Sequence, residues 1–144
     1  MHYHHCKAED CLARKGAVLR QEVFADDAGP DATEEQRARA ARPYTVTQHT
    51  YQVRLLQNTG PNRHAIFDTH PAETLTYHCE RRPDDPRVQH AITLEVGHYG
   101  EVIKQVSIGY GRDTSPLETE FDRAAQTTTL ITATDTTYTK PLTD

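Results

Sequence analysis

Apolar residues recur at every second position through the middle of the chain. Leu75, Tyr77 and Cys79 form one alternating run, Ile92, Leu94 and Val96 a second, and Val102, Val106, Ile108 and Tyr110 a third. A period of two is the signature of strands with one buried and one wetter face. The runs predict strands at about residues 73–80, 88–96 and 101–110, with Tyr77, Leu94 and Ile108 buried on one common face. Between the first two, Pro83 and Pro86 remove backbone donors and bias Arg82 and Asp85 away from helix. Between the second and third, Gly97-His98-Tyr99-Gly100 is a short glycine-bounded hairpin loop. The three strands make an antiparallel meander.

The flanks extend the pattern. Residues 16–25 alternate, and the set Ala17, Leu19, Gln21 and Val23 is the more apolar, so it is expected to face inward. Gly29-Pro30 then ends the strand. Thr33-Glu34-Glu35-Gln36 fits a capping box, and acids precede Arg37, Arg39 and Arg42, as a helix dipole favours, a solvated charged face. A short surface helix is expected at about 33–41, with only alanines as its apolar side. Residues 43–57 are rich in β-formers and long for one strand, which predicts a bulge near Gln48–Thr50. A turn at Asn58–Asn62 follows, then a short strand from His64 to Phe67 that ends at the His70-Pro71 break. Beyond Gly111 lie a loop, a helical turn around Phe121–Ala125 and a last strand through Thr128–Ala133. No repeat of fixed period is present.

Composition makes the core thin. Hydrophobic residues are 35% of the 144, and adding the seven glycines brings the total to about 40%, below the ~45–50% of ordinary soluble domains. Twenty threonines and no tryptophan suit a half-exposed sheet. The net charge of −5, with no long basic run, argues against nucleic acid as a partner. No stretch approaches the ~20 apolar residues of a membrane span, and the N-terminus lacks the apolar segment of a signal peptide. Cys6, Cys11 and Cys79 cannot all pair within one chain, and buried or free thiols are expected.

Candidate chemistry is sparse. His2, His4, His5, Cys6 and Cys11 are zinc-ligand types, but their spacing matches no zinc-finger pattern, and strand alternation would send His4 and His5 to opposite faces. Residues 1–15 therefore read as an irregular tail or edge strand. Glu118-Thr119-Glu120 has the carboxylate spacing of ADP-ribosyltransferases, without the arginine and Ser-Thr-Ser strands which that chemistry needs. Ser107 or Ser115 with a histidine would make a hydrolase pair, but no G-x-S-x-G elbow exists. His78 and His90, on adjacent strands, would make a metal- or acid-sensitive cross-strand pair, with a water-facing polar row as the plainer reading. Gly109-Tyr110-Gly111 opens no helix and makes no phosphate loop. No catalytic, cofactor or metal residue is assigned.

The ordered succession TLTYHCER, DPRVQHAITLEVGHYGEV and KQVSIGYGR, with GAVLRQEVFADD before it and TLITATDTTYTKP after it, resembles the middle region of the B component of insecticidal toxin complexes, the TcdB/TcaC type related to SpvB. The resemblance covers roughly residues 10–141; residues 16–141 then form one unit, and 33–41 fall where the family has a shorter loop. It implies an all-β curved antiparallel sheet, one segment of an RHS-type β-shell that encloses a toxic C-terminal region. It further implies a non-catalytic, secreted role. The implied partners are the remaining shell and propeller of a parent B component, the C component and, indirectly, the A-component pore. The rival readings are a fragment of an ADP-ribosyltransferase or metal-dependent toxin enzyme, and a stand-alone sheet module that binds a partner strand. As a cut from a shell, the chain is expected to be marginally stable or oligomeric, below about 8 kcal/mol of folding free energy.

Overall fold

The computed structural model describes residues 13–139 apart from Pro83. Six strands form one open antiparallel sheet in the order β1-β2-β3-β4-β5-β6, so each strand lies beside its predecessor. They are β1 (Arg20–Val23), β2 (Thr45–Gln57), β3 (Ile66–His78), β4 (Arg87–Val96), β5 (Val102–Gly109) and β6 (Leu130–Asp135). Two short helices, α1 (Glu34–Ala40) and α2 (Glu120–Thr127), sit in the connections β1–β2 and β5–β6. The meander therefore stands where the alternation put it. The two zinc-ligand cysteines and the three N-terminal histidines lie outside the described residues.

Local chemistry accounts for the punctuation. Thr33 caps α1, its hydroxyl accepting from Gln36 N while the Gln36 side chain accepts from Thr33 N, the reciprocal box read in the sequence. Thr119 caps α2, its hydroxyl accepting from Asp122 N, without the reciprocal half of the box. In the β4–β5 loop Gly97 N donates to Glu101 O at 2.8 Å, and Gly100 takes a positive φ of 87° that an L side chain resists.

Pro71 was expected to break the chain and does not. Thr50 pairs with Glu73 but Tyr51 with Pro71, so Ala72 is an extra residue bulged out of β3. Proline is tolerated at a bulge, and here β3 pairs with β4 only from Glu73 onward, so no ladder on that side needs its N–H. The bulge expected in β2 near Gln48–Thr50 thus falls one step on, and its extra residue is in the partner strand.

Register decides the faces. Val46, Leu75, Tyr77, Val88, Ile92, Val106, Ile108 and Ile131 share one face, and Thr45, Thr47, Thr74, Thr76, Gln89, Ser107 and Thr132 share the other. Two expectations fail here. Leu94 is the extra residue of a bulge between the pairs Thr93–Gln105 and Glu95–Lys104, which takes it out of the alternation and leaves it 61% exposed. Tyr77 and Ile108 do share a face and are half-buried, without Leu94. In β1, Glu22 lies on the apolar face beside Val46, so Leu19 and Val23, expected inward, stand exposed on the threonine side.

No second layer covers the sheet among the described residues. Among the described residues the buried apolar side chains are Val46 and Cys79, and none is fully enclosed. Both lie at the end of the sheet to which the β1–β2 connection returns, where Cys79 N donates to Tyr44 O.

Candidate functional site

The catalytic readings are tested first by placement. His78 lies opposite Arg87, and His90 opposite Leu75. The odd offset puts the two histidines on opposite faces, so they form no pair. His78 Nε2 instead lies 3.4 Å from Gln89 Oε1, and His90 Nδ1 3.0 Å from the Tyr110 hydroxyl. Ser107 stands in regular strand between Ala91 and Thr132, and the Ser115 hydroxyl donates to Gln126 Oε1. Glu118 and Glu120 are exposed at the start of α2, and the Glu118 carbonyl accepts from Arg123. These groups are not brought together. No group of three metal-ligating side chains occurs among the described residues.

Two polar clusters went unnoticed in the sequence. The first lies where β3 and β4 part beyond Glu73. Arg54 Nη2 is 3.2 Å and His70 Nδ1 3.4 Å from Asp68 Oδ2, and Arg54 also donates to the Gly97 carbonyl at 3.0 Å. Arg54 and His70, with Thr93 and Glu95, border a cleft of about 250 Å3. Arg54 Nε, Asp68 Oδ2 and His70 Nδ1 have no hydrogen-bond partner among the described residues. A His–Asp pair orients a base, yet among the described residues no serine or cysteine borders the cleft. Its structural effect is plain, because Arg54 ties β2 to the β4–β5 hairpin across the gap. The i, i+2 spacing of Asp68 and His70 was a readable sign of a shared strand face, but the partner Arg54 appears only with the register.

The second cluster centres on Arg81, 7% exposed, which follows β3 in a turn where Glu80 and Arg81 both have positive φ (48° and 63°). Its Nη2 donates to Asp27 Oδ2 at 2.6 Å, and its guanidinium lies 4.7 Å from the centre of the Tyr44 ring. The Arg81 hydrogen bond holds the Asp27 carboxyl below its ordinary value against the opposing effect of burial, with the Arg81 charge a lesser contribution in the same direction as the bond. One side chain thereby fastens the β1–β2 connection to the end of β3.

The larger feature is the sheet itself. One face carries a contiguous apolar set that stays half-open, and Ile131 at its margin is 68% exposed. The two margins differ. β1 is four residues long and carries Arg20 and Glu22, the short charged form that discourages further pairing. β6, Leu-Ile-Thr-Ala-Thr-Asp, has no proline or lysine and holds its only charge at the last position. Such a margin is suited to accept another strand.

Comparisons with known proteins agree with this architecture. Among curated protein sequences none matches. The crystal structure of TcdB2–TccC3–Cdc42 contains a similar fold at 32% identity and a TM-score of 0.57, covering 73% of this chain and 4% of that one. The structures of TcdB2–TccC3–TEV and of TcdB2–TccC3 without its hypervariable C-terminal region give TM-scores of 0.56 at 32% and 31% identity, with the same coverage. This chain thus spans a small fraction of the length of the proteins it resembles. The family described as insecticide toxin TcdB middle/C-terminal region matches residues 10–142. With this match over most of its length and a six-stranded open antiparallel sheet, the chain belongs to the TcdB middle/C-terminal family, a region of toxin-complex B components.

Proposed function

We propose that this chain is a non-catalytic wall segment of a toxin-complex B component, contributing strands to a hollow RHS-type β-shell that encloses the toxic C-terminal region. The observation that carries the reading is the pairing of a half-open apolar face with an unguarded β6 margin. An open sheet in this state leaves backbone donors and apolar area unmet, and the adjoining wall meets both. Residues 16–141 act as one unit of that wall. The partners are then the rest of the B component's shell and propeller, a C component that completes the shell, and the A-component pore at one remove. The assembly is secreted. The solved relatives, TcdB2 in complex with TccC3, support the B–C pairing.

Hydrogen exchange tests this directly. Amides of Leu130–Asp135 that point away from β5 should exchange rapidly in the isolated chain and become protected in a complete B component assembled with its C component. Equally fast exchange in both would refute the shell role. NAD-dependent labelling of protein by the purified chain would refute its non-catalytic character.

A further inference from the structure

The turn after β3 and the helix α1 together form a basic cleft that the shell role does not use. Arg39 and Arg42 on the α1 side and Arg81 and Arg82 on the turn border a space of about 380 Å3, with Glu35 and Glu80 as the acids in its wall. Most of the remaining pairing is already spent. Arg81 is offset by Asp27, and Glu80 accepts from Arg87. Among the described residues Arg39, Arg42 and Arg82 form no side-chain hydrogen bond or ion pair, and the one uncommitted acid facing them is Glu35. Asp27 feels the charge of Arg39 as well as that of Arg81. Yet the guanidinium groups of Arg39, Arg42, Arg81 and Arg82 against the carboxylates of Glu35, Glu80 and Asp27 leave a local excess of positive charge in a chain whose net charge is −5. Arg81, more than nine-tenths buried at the floor, keeps an Nε donor with no hydrogen-bond partner. The successive positive φ values at Glu80 and Arg81 set this floor in place.

We propose that this cleft binds an oxyanion, a phosphate or carboxylate group, held by the forks of Arg39, Arg42 and Arg82 over the fixed charge of Arg81. Guanidinium donors are planar and bidentate and match both groups, and convergence of several on one space favours an anion over water. None of the residues that border the cleft belongs to β6 or to the apolar set of the sheet, so the proposal does not rest on the shell reading.

The test is a titration of the full chain with inorganic phosphate and, separately, with a tetraglutamate peptide, at constant ionic strength and with sodium chloride as control. Arginine Nε–Hε resonances report the site. Saturable shifts confined to these four arginines are expected, and the double variant Arg39→Gln, Arg42→Gln should weaken the binding about tenfold or more. Arg39 is exposed on a helix with no buried residue and Arg42 is exposed just beyond its C-cap, so this variant folds, whereas Arg81→Met would disturb the structure. Arg63→Gln, in the β2–β3 loop, should leave the titration unchanged. Tighter binding of the peptide would assign the site to an acidic polypeptide, and tighter binding of phosphate to a phosphate-bearing ligand. Shifts that do not saturate, that chloride reproduces, or that survive the double variant would overturn the proposal.

Discussion

Truncating Val46 and Leu94 to alanine in parallel reads out where the core lies. Val46 is 7% exposed and flanked on its face by Glu22 and Tyr77. Its truncation removes two buried carbons at about 0.8 kcal/mol each, so the transfer loss is about 1.5 kcal/mol. A void of about 50 Å3 would add about 1 kcal/mol at ~24 cal/mol per Å3 if the neighbours stay in place. The expected cost is therefore about 1.5–2.5 kcal/mol, the lower end applying if the open sheet relaxes. Leu94 loses three carbons, but roughly two-fifths of its surface is covered, which limits the loss to about 1 kcal/mol. Its position on a bulge gives nothing for a cavity to form in. Urea unfolding followed by circular dichroism measures both. A cost for Leu94→Ala equal to or above that for Val46→Ala would refute the assignment of faces. A larger cost for Leu94→Ala in the complete B component than in the isolated chain would show that the adjoining wall covers it.

Gly111 approaches the α2–β6 junction so closely that a Cβ there would overlap the Thr127 carbonyl, next to the 2.8 Å bond from Arg112 N to Gln126 O. Gly111→Ala should cost about 1–3 kcal/mol and raise hydrogen exchange in β6 first. Asp27, whose folded carboxyl lies below its ordinary 3.8, contributes stability that is complete above that value and lost as pH falls through the lower folded one. Urea midpoints measured from about pH 5 to about pH 2 should show a shallower acid decline in Asp27→Asn than in the parent chain. Burial, with a smaller effect of the Glu22 charge, pushes the Cys79 thiol above its ordinary 9.0. With Cys6 and Cys11 replaced by serine, Cys79 should react slowly with a disulfide reagent at neutral pH and rapidly once unfolded, and stability should fall as pH rises through 9.0 and above.

The meander and the capped helix were legible because each is written locally. Alternation at Leu75–Cys79 and Val102–Tyr110 needs no partner to be read, and the Thr33–Gln36 box closes within one turn of helix. What escaped depends on pairing. The inward side of β1 was judged by which alternate set is more apolar, whereas the register with β2 places Glu22 beside Val46. Leu94 looked like a core residue because its neighbours Ile92 and Val96 share its parity, and no local signal marks the bulge. Pro71 was read as a terminator because its missing N–H matters only if a strand lies on that side, and β4 stops pairing at Glu73. Of the polar clusters, Asp68 and His70 carried a faint signature in their spacing. Arg81 carried none, since its partners Asp27 and Tyr44 come from a distant stretch of chain.

The strictly sequential strand order also bears on how the sheet is made. Because every strand pairs with the one synthesised just before it, no strand has to wait for a distant partner or thread between two already in place. Each addition closes only the loop that separates neighbours, which keeps the entropic cost of every step small and the folding rate correspondingly high. The growing margin is at all times the most recently made strand, so the sheet lengthens in one direction as chain emerges. β6 is the last such margin in the described residues, and its sequence, charged only at its final residue, leaves that margin open to another strand.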